Sequence, residues 1–217
     1  MSTLLMTEPV QLGSLALPGD LVIPPQALGV VMFVHGSGSG RQSPRNRWVA
    51  GEFQKLHLAT LLFDLLTEEE AQDRRMVFDI DLLGRRVVEA IHWTEHHPDL
   101  ADLRLGLFGA STGAAAALAG AAKRPDRVAA VVSRGGRPDL ALASLPHVQA
   151  PTLLIVGGLD TEVLALNRQA LRQLHAPKRL EVVPGAGHLF QEPGALDSVA
   201  LFASSWFEQY LCVRRSA

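Results

Sequence analysis

Leu103-Arg104-Leu105-Gly106-Leu107-Phe108 runs straight into Gly109-Ala110-Ser111-Thr112-Gly113, and four alanines, Ala114 to Ala117, follow. An apolar run of strand length, a glycine-flanked serine and a helix-forming run in succession spell strand, sharp turn, helix. Such a turn strains the backbone at its central residue, so the residues two positions to either side must be small. Gly109 and Gly113 meet that requirement. The alanines let the following helix approach the strand closely. The plainer alternative is a glycine-flanked turn with an ordinary capping serine. In this setting the pattern instead marks Ser111 as a nucleophile presented at the carboxyl end of a strand.

Working outward, short β-branched runs alternate with longer helical patterns along the whole chain. Strands are expected at 30–34, 58–63, 103–108, 128–132, 152–156 and 179–183, and helices near 44–56, 79–97, 112–123, 162–174 and 196–211. That alternation predicts a parallel sheet with helices on both faces. Val10 to Ile23 is long enough for one or two antiparallel edge strands, with Pro18-Gly19-Asp20 as the turn between them. No linker-like segment or internal repeat divides the 217 residues, so residues 1–217 read as a single domain.

In open sheets of this kind, chemistry gathers where strands end. A serine nucleophile needs a base, and the base needs an orienting acid, in the chain order Ser, Asp or Glu, His. Gly157-Gly158-Leu159-Asp160 leaves the strand 152–156, and Pro184-Gly185-Ala186-Gly187-His188 leaves the strand 179–183. His188 is therefore the expected base and Asp160 its acid. The plainer alternative for Asp160 is the N-cap of the helix that follows, but the catalytic role is favoured because His188 otherwise lacks an orienting carboxylate. Asp139, beyond the strand 128–132, is the reserve acid. His35-Gly36-Ser37-Gly38-Ser39-Gly40 leaves the strand 30–34. Its backbone, most simply the Ser37 N–H, is expected to complete an oxyanion hole with the Thr112 N–H, while His35 braces the loop. Arg41, Arg45, Arg47, Arg134 and Arg137 follow strand ends, and Arg41 and Arg134 are candidate substrate-binding residues for an acid-bearing ester. Solvated or acid-paired arginines are the blander alternative, with Glu52 and Asp139 at hand.

Taken together, these motifs resemble the α/β-hydrolase superfamily, and the small size is similar to its dienelactone-hydrolase-like branch. The resemblance runs from the His35-Gly36 loop to His188. It implies a mostly parallel, twisted sheet of about eight strands, with Ser111 as nucleophile, His188 as base and Asp160 as acid. Dienelactone hydrolases proper carry cysteine at the nucleophile, whereas Ser111 stands here, so the resemblance points toward a carboxylesterase. Only Ser133 to Ala150 lies where a lid is usually inserted. That is too short for a cap domain, which predicts an open site favouring short or modest acyl chains.

Other classes fit poorly. Charge is mixed along the chain and sums to −2, which offers no field for a nucleic-acid backbone. No apolar run spans a bilayer, Met1 to Pro9 does not read as a signal peptide, and a single cysteine, Cys212, suits a reducing compartment. The expectation is a soluble, cytoplasmic protein. His92-Trp93-Thr94-Glu95-His96 matches a zinc-protease pattern, but the apolar stripe Ile80, Leu83, Val87, Ile91 puts both histidines on the solvent flank. The 36–40 loop lacks the Gly-Lys-Ser/Thr of a phosphate-binding loop. The chemistry expected needs no metal or organic cofactor, and its partner is a small ester. A non-catalytic ligand- or partner-binding protein of the same fold is the alternative. Oligomeric state leaves no signal in the sequence.

Overall fold

A computed structural model describes residues 5–212; Met1 to Leu4, part of the segment read above as leaderless, lie outside it. The strands are β1 (Glu8–Leu12), β2 (Leu17–Val22), β3 (Gly29–Val34), β4 (Leu58–Phe63), β5 (Leu105–Ala110), β6 (Val128–Arg134), β7 (Thr152–Gly157) and β8 (Lys178–Val183). They form one sheet in the order β1-β2-β4-β3-β5-β6-β7-β8. Pairing is parallel from β4 across to β8 and antiparallel only at β1 and β2. This is the α/β-hydrolase fold. The β-branched runs of the central strands are buried on both faces, as a sheet covered twice requires.

One side of the sheet carries helices α1 (Pro44–Lys55) and α6 (Ala195–Leu211). The other carries α3 (Ile80–His96), α4 (Thr112–Lys123) and α5 (Thr161–Gln173), with a four-residue helix α2 (Arg74–Val77) before α3. Phe33, Phe53, Phe108 and Phe207 pack ring to ring under α1 and α6, at centroid separations of 5.0 to 5.7 Å. On the other side α4 is buried along nearly its whole length, and its small residues permit that. A Cβ on Gly120 would lie 2.5 Å from Val87, so α3 could not come as close.

The edge hairpin departs from the expected turn. The chain reverses at Gly13 to Ala16, both with positive φ, and Pro18-Gly19-Asp20 lies inside β2. Packing decided this against local turn preference: Gly19 faces Leu12, where a Cβ would come within 2.6 Å. β5 and β6 also end two residues later than the sequence suggested. No cap domain is inserted among the described residues; Pro138–His147 forms only kinked 3-10 turns packed on α4 and α5. No described helix is long and apolar enough to cross a membrane.

Candidate active site

Ser111 sits at φ 51° and ψ −122°, a backbone conformation that side-chain-bearing residues rarely adopt. Its neighbours hold it there. The Ser111 N–H donates to the Arg134 carbonyl at 3.2 Å, and the Ser111 carbonyl accepts from Arg137 N at 3.1 Å. A Cβ on Gly109 would lie 2.5 Å from Ala114 Cα, and one on Gly113 would strike the Val34 and His35 carbonyls. The small residues flanking the serine are thus a steric demand of the strand–helix turn.

Two further loops converge on this serine. β7 lies beside β8, and Leu159 N donates to the Ala186 carbonyl at 2.9 Å, locking the loop of Asp160 to that of His188. The approach is so close that a Cβ on Gly157 would strike the Ala186 and Gly187 backbone. Gly187 N in turn donates to Glu192 Oε1 at 3.0 Å, a brace the sequence reading missed. His188 Nδ1 lies 2.6 Å from Asp160 Oδ2, and His188 Nε2 lies 3.3 Å from Ser111 Oγ. A carboxylate only accepts, so Nδ1 carries the proton and Nε2 is left bare toward the hydroxyl. Asp139, the reserve acid, is turned away and grips Arg137 at 2.7 and 2.8 Å. Asp160 makes no side-chain cap to α5, so it is not spent on the helix end.

The oxyanion side holds a difference from expectation. Thr112 opens α4, where backbone N–H groups lack intrahelical partners. The Ser37 N–H, however, is engaged: it donates to Thr112 Oγ1 at 2.8 Å. An oxyanion placed between the two amides would take the Ser37 donor over from the hydroxyl. Beyond this pair opens a cavity of about 260 Å³, walled by Leu65, Leu66, Val77 and Leu83. Its outer wall is the excursion between β4 and α3, in which Thr67 and Glu70 form a reciprocal capping pair and Glu70 binds Arg86.

His35 fixes the loop that carries Ser37. Its Nε2 accepts from Leu65 N at 3.0 Å, which assigns the proton to Nδ1, 3.0 Å from the Gly36 carbonyl. Burial outweighs the Gly36 carbonyl and Asp64 and pushes the His35 pKa below its ordinary value. An unfolded chain therefore binds this proton at about pH 6.5 while the folded one still refuses it. Stability should fall as pH drops below that point, by up to about 1.4 kcal/mol per pH unit until the folded group titrates. Urea midpoints at pH 7.5 and pH 5 should differ less in His35→Gln, whose amide oxygen can still accept from Leu65. The same pH dependence in both proteins would contradict this role.

The arginine expectations need correction. Arg41 is not free on the rim: its Nε lies 3.9 Å from Asp20 and 3.7 Å from Asp64, and its N–H donates to Asp64 at 2.7 Å. Arg134 is not on the rim either. It is buried beneath it, because β6 continues to that residue and strand alternation turns the side chain toward α1.

The dienelactone hydrolase family model matches residues 56–209. The chain belongs to the dienelactone hydrolase family. A dienelactone hydrolase from Anabaena variabilis is 57% identical, with a TM-score of 0.92 over 95% of this chain and 98% of that one. A carboxyl esterase 2 from the fungus Tuber melanosporum, 18% identical, shares the fold at a TM-score of 0.76 over 97% and 89%. A putative phosphoribosyl transferase of Mycobacterium tuberculosis is 53% identical over 96% of this chain and 47% of its own length. The chain thus spans about half the length of these curated mycobacterial relatives. Membership in the dienelactone hydrolase family supports reading this domain as a hydrolase.

Proposed function

We propose that this domain is a serine carboxylesterase working through an acyl-enzyme, with Ser111 as nucleophile, His188 as general base and acid, and Asp160 as orienting acid. The observation that carries the reading is the single imidazole lying between Asp160 and the strained serine, its bare nitrogen toward the hydroxyl. His188 Nε2 takes the Ser111 proton as Oγ attacks the ester carbonyl, and the Thr112 and Ser37 N–H groups receive the negative charge on the carbonyl oxygen. The imidazolium, steadied by Asp160, gives its proton to the departing alkoxide. Water then repeats the sequence on the acyl-enzyme and releases the acid. A thioester or lactone would be attacked by the same groups. The phosphoribosyl transfer named for the longer mycobacterial relatives is not extended to this chain, whose cluster of groups suits attack at a carbonyl.

Hydrolysis of 4-nitrophenyl acetate and butyrate by the purified protein tests the assignment. The expected result is turnover well above buffer. No turnover across a panel of esters, thioesters and lactones would favour instead a ligand-binding protein built on this fold.

The apolar cavity beside Ser37 and Thr112 is assigned to the acyl chain. Each methylene buried there contributes about 0.8 kcal/mol, or roughly a fourfold gain in kcat/KM, until the space is filled. In Val77→Trp the indole would occupy the cavity. The ratio of octanoate to acetate turnover should then fall at least about tenfold. A ratio unchanged by this substitution would place the acyl chain elsewhere.

A further inference from the structure

Thr112 carries a hydroxyl hydrogen that the fold does not use. The residue is only 4% exposed and lines the apolar cavity beyond the oxyanion loop. A hydroxyl accepts through its lone pairs and donates one hydrogen. Thr112 Oγ1 accepts from the Ser37 N–H at 2.8 Å, and among the described residues it donates to no acceptor. Inside a helix, threonine commonly gives that hydrogen to a carbonyl three or four residues earlier. Thr112 is the first residue of α4, so those positions, Phe108 and Gly109, belong to β5 and not to a helical turn.

The backbone on either side of this contact has little room to shift. A Cβ on Gly36 would lie 2.9 Å from the Ala110 carbonyl and 3.0 Å from Ser111 Cβ, so the loop before Ser37 is pressed against the elbow. Gly113, next to Thr112, is packed as tightly against the Val34 and His35 carbonyls. What remains free to turn is the hydroxyl itself. An oxygen that accepts from both the Ser37 and the Thr112 amides lies between them. Oγ1 is carried by one of these residues and bonded to the other, so it stands beside that point. An unspent donor sits where negative charge develops.

We propose that the Thr112 hydroxyl is a third oxyanion donor, which accepts from Ser37 in the free protein and donates to the oxyanion in the transition state. The inference rests on the esterase assignment above and adds a side chain to its two backbone amides. In the free protein the hydroxyl keeps the Ser37 N–H satisfied and aimed into the site. As Ser111 Oγ bonds to the carbonyl carbon, its proton passes to His188 Nε2 and the C=O π pair settles on the oxygen. The Ser37 N–H transfers its bond to that charge, and the released Thr112 O–H turns to the same oxygen. A neutral carbonyl draws far less from such donors than an oxyanion does, so the hydroxyl acts on turnover and not on substrate binding.

Two variants separate this role from a tie that merely holds the loop. Thr112→Val keeps the side chain's shape and deletes the hydroxyl, whereas Thr112→Ser keeps the hydroxyl. With 4-nitrophenyl butyrate, Thr112→Val should lose about 100-fold in kcat, the effect of removing one oxyanion donor, with KM within about threefold of wild type. Thr112→Ser should stay within about fivefold of wild type, the remaining loss reflecting its less restricted χ1. Thr112→Val also frees the Ser37 N–H. A hydroxyl that only competed for that amide would give a higher kcat on removal, so an unchanged or raised kcat overturns the proposal.

Inhibition by two ketones gives the second readout. Butyl trifluoromethyl ketone takes up Ser111 Oγ as a hemiketal oxyanion, whereas butyl methyl ketone binds without appreciable addition. The ratio of their inhibition constants is a property of folded molecules alone, so it reads the hydroxyl even where Thr112→Val lowers Tm. Wild type should bind the trifluoromethyl ketone the more tightly. Thr112→Val should weaken that ketone by about the same factor as kcat and leave the other unchanged, and Thr112→Ser should restore the ratio. Equal weakening of both ketones, or no recovery in Thr112→Ser, would show a structural tie and overturn the role. Ester hydrolysis by wild type with Thr112→Val unimpaired overturns the third donor alone. Wild type that hydrolyses no ester and does not distinguish the ketones overturns the esterase assignment with it.

Discussion

Ser111→Ala should lower kcat for ester hydrolysis by roughly 10⁶-fold and leave the fold intact, as removal of the nucleophile does in other triads. The loss is that large because nothing else in the site can form the covalent intermediate. Backbone donors and binding alone would retain only a small residue of catalysis. The fold should tolerate the change for a local reason. The Ser111 side chain makes no capping bond to α4, and the elbow is held through backbone contacts to Arg134 and Arg137. Alanine at the same positive φ carries the same strain as serine, so the thermal midpoint should stay within the small range of a neutral substitution. Activity near that of wild type, in protein shown to be folded and pure, would contradict the assignment of Ser111.

The second large effect is expected at the acid. Asp160→Asn should cost about 10⁴-fold in kcat, the size of the loss when the same exchange reverses the histidine tautomer in another triad. His188 Nδ1–H now donates to Asp160 Oδ2. A carboxamide can offer an N–H in its place, which would move the imidazole proton to Nε2. That nitrogen would then present a donor to Ser111 and could no longer accept its proton. Asp139→Asn is the matched control, because it breaks only a partly exposed pair with Arg137 and leaves His188 untouched. Equal losses in the two variants, or a larger one at Asp139, would show the acid to be misassigned.

The sheet was legible because its central strands are mostly apolar runs, and because each chemically loaded loop carries glycine at or next to the point where a strand stops. The same glycines exposed Ser111 and His188, since the close approaches at Gly109, Gly113 and Gly157 are backbone collisions that only glycine avoids. Asp160 was preferred to Asp139 in the sequence but not distinguished from it by local pattern. Both follow a strand and open a helical turn, and the pairing of β7 with β8 is what brings Asp160 to His188. Nor was the hairpin turn legible, since packing against Leu12 draws Gly19 into β2 despite its turn-like neighbours.

The arginines show the same limit from another side. Arg41 meets Asp20 from the edge hairpin and Asp64 from the end of β4, three segments that no local pattern connects. Two more residues of strand, with the alternation that follows, carried Arg134 from the rim into the protein. The apolar cavity escaped notice because its wall is assembled from the β4 loop, α2 and the first turn of α3, each unremarkable alone. What a sequence displays are demands local to a strand and its loop; contacts among distant segments appear only when the sheet assembles.

The most direct measurement is reaction of the native protein with a fluorophosphonate, followed by mass analysis of the intact chain and its peptides. An activated serine attacks the phosphorus, expels fluoride and keeps the adduct, whereas an ordinary exposed hydroxyl is unreactive. The account predicts one adduct per chain, on the peptide that holds Ser111, abolished by Ser111→Ala or by prior unfolding and greatly slowed by His188→Ala. A native protein that stays unlabelled, or that carries the adduct on another residue, would contradict it.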